Sequence, residues 1–241
     1  MVTSPTLSNT LVAPAPRRVS VYIDGFNLYY GSLKGTPYKW LDPLALARAL
    51  LPTDDVTAVH YFTARVKATP RDPSVHQRQG IYLRALATLR QVHVREGFFL
   101  LKRSRQARVE PLNPTNPKVP NPANATVDIW LNEEKGSDVN LATQLLLDAF
   151  DDNFDLAVVI SNDSDLAWPI LKVRQKFRKH VGVYKPERPV GYPSPTPRPD
   201  SRELKNNARW FRRIEERHLV ASQLPPTLTD AVGTIRKPVG W

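Results

Sequence analysis

The sequence predicts an α/β protein, a three-layer sandwich in which helices cover both faces of a central, mostly parallel sheet. Short apolar runs alternate along the chain with segments of helical periodicity, as in proteins built from strand-helix-strand units. The runs VSVYI and LAVVIS are rich in β-branched residues, which favours buried strands. A length of 241 residues is sufficient for one well-buried domain.

Five apolar runs are predicted as strands. They comprise residues 19–23, 56–66, 92–102, 156–161 and 181–184. In the second run Val59, Tyr61 and Thr63 fall on one face, because side chains alternate along a strand. The third run is interpreted as a strand or a hairpin.

Five segments between the strands are predicted as helices. They comprise residues 26–33, 44–51, 75–89, 139–150 and 164–177. The second begins with Asp42 as a cap and Pro43 in the first turn, a position that proline favours. In the third, Ile81, Leu83 and Leu86 recur near helical spacing.

The ends of the chain differ from its centre. The sequence divides into a disordered tail (1–17), a folded α/β domain (18–185) and a proline-rich loop with a basic extension (186–241). Proline cannot continue a helix or a central strand, so residues 111–122 and 186–199 are predicted as exposed loops or as a flap beside the site. One more helix is expected over 202–219, and an irregular segment after it.

The charge balance narrows the choice of partners. Lys and Arg number 34 against 23 Asp and Glu, a net charge of +11 that favours polyanions such as nucleic acid. The chain has no cysteine, which excludes disulfides and thiolate metal sites. No run is long enough for a membrane span, and no secretory signal is recognisable, so a cytoplasmic protein without membrane contact is expected.

Carboxylates gather directly after two predicted strands. Asp24 follows the first, and Asp163 and Asp165 follow the fourth, while Asp138 begins a predicted helix. Each acid alone is also explained by a turn or a helix cap. Carboxylates held close together repel each other, and a bound cation would neutralise them. Oxygen-rich loops of this kind favour Mg²⁺ or Mn²⁺.

Basic residues gather in three stretches that favour RNA as a partner. They are Lys102, Arg103, Arg105 and Arg108; Lys172, Arg174, Lys176, Arg178 and Lys179; and Arg209, Arg212, Arg213 and Arg217. Trp210 and Phe211 lie within the third stretch, where aromatic rings can stack on bases. Each stretch alone also suits a solvated surface.

The strings VYIDGFNLYYG, EKGSDVNLATQLLLDAF and DLAVVISNDSDLAWPI together resemble the NYN domain, a branch of the PIN-like nuclease superfamily. The resemblance spans residues 19–184 and implies a Rossmann-like sandwich and a metal-dependent endoribonuclease that hydrolyses single-stranded or structured RNA. It implies that the residues binding Mg²⁺ or Mn²⁺ are Asp24, Asp138, Asp163 and Asp165. Asn27 joins them as a catalytic residue.

RNA contacts are expected from a further set of residues. They are Lys135, Ser161, Asn162, Ser164, Arg103 and Arg105. The motif commonly has a glycine where this chain has Asn162. Asparagine tolerates the left-handed conformation that glycine allows, so the loop is expected to be retained.

Other interpretations stay open. The strings LKGTPYKWLD, EEKGSDVNLA and NDSDLA resemble bacterial NYN-type proteins named as 6-hydroxy-3-succinoylpyridine hydroxylases, which implies a flavin and reduced nicotinamide. No G-x-G-x-x-G follows a strand to support that chemistry. An inactive RNA-binding module is a third interpretation. A haloacid dehalogenase-type phosphatase is disfavoured because Asp24-Gly25-Phe26 lacks a second acid. A homo-oligomer is also compatible with the sequence.

Overall fold

A seven-stranded sheet forms the centre of the molecule. The computed structural model describes residues 15–70, 72–107, 126–192 and 198–241. The strands of this sheet are β1 (Arg18–Asp24), β2 (Asp55–Ala64), β3 (Val92–Ala107), β4 (Thr126–Lys135), β5 (Leu156–Ile160), β6 (His180–Lys185) and β7 (Trp210–Arg213). Their order is β4-β3-β2-β1-β5-β6-β7, and every neighbouring pair is parallel except β3 and β4. The predicted mostly parallel sheet is confirmed.

Helices cover both faces of the sheet. They are α1 (Gly25–Leu28), which continues as a π-helical segment (Tyr29–Leu33), α2 (Pro43–Leu50), α3 (Val75–Leu86), α4 (Ser137–Phe150), α5 (Ala167–Lys176), α6 (Arg202–Asn207) and α7 (Glu216–Ala221). One core joins the sheet to α2, α3 and α7, and the other joins it to α4, α5 and α6. Successive side chains of β1 point to opposite faces of the sheet, so Val21 and Ile23 lie in the first core and Tyr22 lies in the second. The three-layer sandwich is confirmed.

The sheet continues past residue 185, where the predicted domain ends. Instead of one helix over 202–219, α6 is followed by β7, which pairs with β6, and then by α7. The ring of Trp210 lies against Gly182, where an added Cβ would lie 2.0 Å from a ring atom. Aromatic packing on a glycine of the neighbouring strand therefore favours a strand over a helix here. Strands β8 (Thr227–Asp230) and β9 (Gly233–Arg236) form a hairpin in the segment predicted to be irregular.

A two-stranded arm projects at one end of the sheet. Residues Phe98–Ala107 of β3 continue beyond the part that pairs with β2, and they pair with β4 over its whole length. β4 is not among the predicted strands, because TVDIWLNEEK mixes acids with its apolar residues.

Several predicted features lie outside the described residues. They are residues 1–14 of the tail, the proline-rich segment 111–122, part of the segment 186–199, and Arg108. Within the described parts of the chain, no helix has the length and apolar character needed to cross a membrane.

Candidate active site

The acidic residues lie where the order of the parallel strands reverses. β1 is flanked by β2 on one side and by β5 on the other, and both β1 and β5 end at the same edge of the sheet. Asp24 ends β1, and Ser161 directly follows β5. The carboxyl ends of strands at such a switch point form the crevice in which open α/β sheets bind ligands.

Asp24 is held rigidly at the base of this crevice. Its side chain is buried, with Oδ1 accepting a hydrogen bond from the Asn27 backbone N–H (2.9 Å) and Oδ2 accepting one from the Ser161 hydroxyl (2.9 Å). Burial raises the pKa of the Asp24 carboxyl, although these hydrogen bonds oppose the shift. At Gly25 an added Cβ would lie 2.6 Å from the Phe62 carbonyl oxygen, so only glycine lets the chain turn here.

The loop after β5 is tied to Asp24 through Ser161. The Ser161 oxygen accepts a hydrogen bond from the Asp163 N–H (3.1 Å), and Asp163 Oδ1 accepts one from the Asp165 N–H (3.0 Å). Asp163 thereby caps the 3₁₀ turn Ser164–Leu166 that leads into α5. The cap and the acidic motif therefore coexist in this loop: Asp163 is the N-cap of the turn, and Asp165 is its second residue.

Asp138 stands in the first turn of α4, after Gly136 in a left-handed conformation (φ 98°). Burial is the largest influence that raises the pKa of Asp138, to about 7, and the negative charges of Asp24, Asp163, Glu134 and Asp165 raise it further. The structure thus brings the four predicted acids into electrostatic contact.

Glu134 was not among the predicted site residues. It precedes α4 at the end of β4, and its Oε1 accepts a hydrogen bond from the Ser137 N–H (3.0 Å). The sequence signal was the spacing of four residues before Asp138, but it is informative only once β4 is recognised. Glu134 adds a further carboxylate beside Asp138.

Asn162 links the site to the C-terminal segment. Its N–H donates to Asn27 Oδ1 (3.2 Å), its side-chain amide donates to the Pro199 carbonyl (2.8 Å), and its Oδ1 accepts from the Ser201 N–H (3.0 Å). Among the described non-glycine residues only Asp152 and Arg178 have positive φ, so Asn162 does not take the left-handed conformation. Glycine is therefore not required at this position. The Asn162 side chain connects the loop after β5 to Pro199 and Ser201 and so acts as a strut between the two segments.

The predicted basic contacts lie along the arm. Lys135 pairs with Glu133 (2.8 Å), and Arg103 pairs with Asp128 (2.7 Å). Arg105 lies 3.7 Å from the same aspartate. These cations are thus engaged within the arm, and their contact with RNA, like that of Ser164 on the acidic loop, stays a prediction.

An exposed aromatic residue follows the acidic loop in sequence. Trp168 lies three residues after Asp165, a spacing that places two helical side chains side by side. Its side chain is 65% exposed, and the Lys172 ammonium lies 3.9 Å from the ring centroid. Sequence reasoning placed Lys172 in a basic stretch but did not single out Trp168; an aromatic residue directly after the acidic motif was the available signal.

The donor set fits a hard divalent cation. Within the described residues, no three His, Asp or Glu side chains converge as ligands of a single ion. Mg²⁺ does not require such a group, since it commonly binds through one or two carboxylates and retains several waters. Carboxylate oxygens that are partly buried beside other carboxylates, as at Asp138, where burial and then repulsion raise the pKa, are suitable donors.

The chain is similar to a named bacterial protein and to a solved structure. The chain is 34% identical to 6-hydroxy-3-succinoylpyridine 3-monooxygenase HspA from Pseudomonas putida (strain DSM 28022 / S16), over 94% of this chain and 76% of that protein. A crystal structure of a protein of unknown function from Vibrio parahaemolyticus is 17% identical with a TM-score of 0.48, over 89% of this chain and 100% of the other.

The model of the NYN domain matches residues 18–214. This range extends from β1 through β7 and includes all four acids. Its nuclease-like sandwich is the fold that the structure shows. The chain belongs to the NYN domain family.

Proposed function

We propose that the protein is a metal-dependent ribonuclease that hydrolyses phosphodiester bonds of RNA. The observation that carries the proposal is the group of carboxylates that β1, α4 and the loop after β5 contribute to one crevice, where burial, and then their negative charges, raise the pKa of Asp138. Repulsion of this kind is costly to the fold, and a bound cation would relieve it and attract a phosphate substrate.

Each residue has a distinct task in this proposal. Asp24, Asp138, Asp163 and Asp165 would hold Mg²⁺ or Mn²⁺, one or two of them directly and the others through waters that the ion retains. The bound ion would supply a Lewis acid for phosphate oxygens and a more acidic water. Ser161 and Asn27 orient the Asp24 carboxylate through their hydrogen bonds. Asp138, with a pKa of about 7, can hold a proton near neutral pH before the ion binds.

The rim of the crevice suits a single-stranded substrate. The exposed ring of Trp168 offers a surface on which a base can stack, and the adjacent Lys172 provides a positive charge for a phosphate. The net charge of +11 favours association with any polyanion.

The test compares cleavage of labelled single-stranded RNA in Mn²⁺ with and without a chelator. We expect Asp24→Asn and Asp163→Asn to lower the cleavage rate by at least about 100-fold, because several kcal/mol of transition-state stabilisation depend on the ion. Asp151→Asn, which removes an exposed acid outside the crevice, is the matched control and should retain activity. Cleavage that persists in both site variants, or in the chelator, would refute the proposal.

Hydroxylation of a pyridine derivative is the second candidate. It is favoured by the name of the Pseudomonas relative and by the extent of the match to it. The buried carboxylate of Asp24 stands at the turn after β1, where dinucleotide-binding folds commonly place a pyrophosphate, and it would repel that group. A flavin absorbance of the purified protein, or substrate-dependent oxidation of reduced nicotinamide, would favour this candidate. Salt-sensitive RNA binding without cleavage would instead favour an inactive module.

A further inference from the structure

A polar pocket lies between β3 and α4, on the flank of the acidic crevice. Val94 and Arg95 of the strand and Asn140, Thr143 and Gln144 of the helix line it, and its volume is about 370 Å³. The three helical residues share one face, because they are spaced three and four apart. A volume of this size is within the range of small-molecule sites. Four of the five lining side chains can form hydrogen bonds, so the pocket suits a polar group.

Arg95 supplies this pocket with a cationic donor. Gly97, two residues later in β3, approaches the start of α4 so closely that an added Cβ would lie 3.2 Å from the Ser137 nitrogen. Alternate residues of a strand share a face, so Arg95 also faces α4. Arg95 is exposed, and among the described residues no hydrogen bond or ion pair involves it; the adjacent Glu96 is engaged by Arg65 (2.6 Å). Its guanidinium donors are therefore available to a ligand.

Gln144 supplies a hydrogen-bond acceptor whose orientation is fixed. Its Nε2 donates to Asp148 Oδ1 (2.9 Å), and this buried carboxylate also accepts from the Tyr22 hydroxyl (2.7 Å) and the Asn153 amide (3.1 Å). A carboxylate that accepts three hydrogen bonds holds the amide nitrogen of Gln144 toward itself, so Oε1 is left as an acceptor. The pocket thus combines a donor on the strand with an acceptor on the helix.

This pattern of donor and acceptor matches a guanine base. Guanine offers the acceptors O6 and N7, to which arginine binds with two parallel hydrogen bonds, the commonest specific contact between a protein and a base. The same base offers N–H donors on its Watson–Crick edge to an acceptor such as Gln144 Oε1. Adenine places an amino donor beside N7, where it would meet the donors of Arg95, and a phosphodiester has no donor for Gln144. Asn140 and Thr143 can donate or accept.

We propose that the pocket binds a guanine base of the RNA cleaved in the acidic crevice, and so gives the enzyme a sequence preference. The inference rests on the proposed ribonuclease function. Gln144 follows Asp138 by six residues in α4, which is about 9 Å along the helix axis. The pocket is therefore close enough to receive a base near the scissile phosphate. Single-stranded RNA can supply one, since its unstacked bases splay out and expose their edges.

RNA binding by the non-cleaving Asp24→Asn protein tests the proposal. Fluorescence anisotropy compares labelled oligouridines that carry one central guanine, adenine or cytosine. The oligonucleotide with guanine should bind about 10-fold more tightly than the others, as expected for one bidentate contact, and Arg95→Gln should reduce this preference to less than about 2-fold. The matched control is Arg90→Gln, which removes the same charge from an exposed residue just before β3 and should retain the preference.

A change of one atom in the base tests the contact directly. 7-Deazaguanine lacks the N7 acceptor and retains the other polar atoms of guanine. Replacing guanine with it should weaken binding to the protein that carries Arg95 and should change nothing in the Arg95→Gln variant. A general disturbance of the fold by the substitution would not produce this difference.

Several results would overturn the proposal: equal affinity for all the oligonucleotides, a guanine preference that survives Arg95→Gln, or equal binding of guanine and 7-deazaguanine. A uniform loss of affinity for every oligonucleotide in Arg95→Gln would identify a phosphate contact and would also overturn it. RNA that is cleaved without base preference would refute the guanine pocket and leave the ribonuclease proposal intact. A protein that neither binds nor cleaves RNA would refute both.

Discussion

Asp138 is the residue at which site chemistry and fold stability oppose each other. In the folded protein its pKa is about 7, well above the ordinary value for an aspartate, because of burial and the neighbouring carboxylates. The folded protein therefore binds a proton at Asp138 more tightly than the unfolded chain does. Its stability contribution is greatest below pH 4 and is lost as the pH rises through 7. Acids that are useful for binding a cation commonly destabilise a fold in this way.

Asp138→Asn should accordingly make the protein more stable at pH 8 and leave it nearly unchanged at pH 4. A shift of about three pH units corresponds to roughly 4 kcal/mol for a fully buried group, and partial exposure of Asp138 lowers our expectation to about 2 kcal/mol. Urea unfolding in the presence of a chelator, at both pH values, measures the difference. Asp151→Asn should show no such pH dependence. Equal stability of the Asp138 variant and the wild type at pH 8 would contradict the expectation.

Added Mn²⁺ should make the wild type more stable than Asp138→Asn at pH 8, since a ligand that binds only the folded state stabilises that state. In the same unfolding experiment at pH 8, the ion should raise the free energy of unfolding of the wild type and leave Asp24→Asn largely unaffected. An equal increase in both proteins would place the ion outside the crevice.

The loop after β5 shows how one element depends on a side chain that the family motif does not require. Asn162 fastens this loop to Pro199 and Ser201 through its side-chain amide. Asn162→Gly restores the common motif, yet it removes two hydrogen bonds of about 1 kcal/mol each and adds the backbone freedom of glycine. We expect the free energy of unfolding to fall by about 1–2 kcal/mol. Limited proteolysis should cut more quickly near Arg202. A variant as stable as the wild type would show that the strut is dispensable.

Elements with an uninterrupted apolar pattern could be predicted from the sequence, and those that depend on a partner strand could not. β1 and β5 are buried on both faces, so their composition alone identifies them. β4 is stabilised mainly by pairing with β3, and β7 by the fit of Trp210 on Gly182, and neither contact has a local signature. The same contrast holds for the site residues. The acids at or after the ends of β1 and β5 could be recognised from the sequence, whereas Glu134 could be recognised only once β4 was known.

At the scale of the whole molecule, the excess of positive charge means that RNA binding should release counterions from the RNA, so the affinity should depend on salt concentration. With the non-cleaving Asp24→Asn protein, the logarithm of the affinity for single-stranded RNA should fall linearly with the logarithm of salt concentration. The slope should change by about 0.7 for each phosphate contact. Lys172, beside Trp168 and the acidic loop, is the cation that we expect to make one such contact.

Lys172→Gln in that background should therefore make the slope shallower by about 0.7. Arg84→Gln removes the same charge from α3, on the other side of the sheet, where Arg84 pairs with Asp230 (2.6 Å), and it should leave the slope unchanged. Fluorescence anisotropy of labelled RNA across a salt series measures both. Because the two variants have equal net charge, any difference between them reflects the position of the bound strand. A slope altered by Arg84→Gln and not by Lys172→Gln would place the RNA on the face opposite to α5 and argue against the proposed path across the crevice.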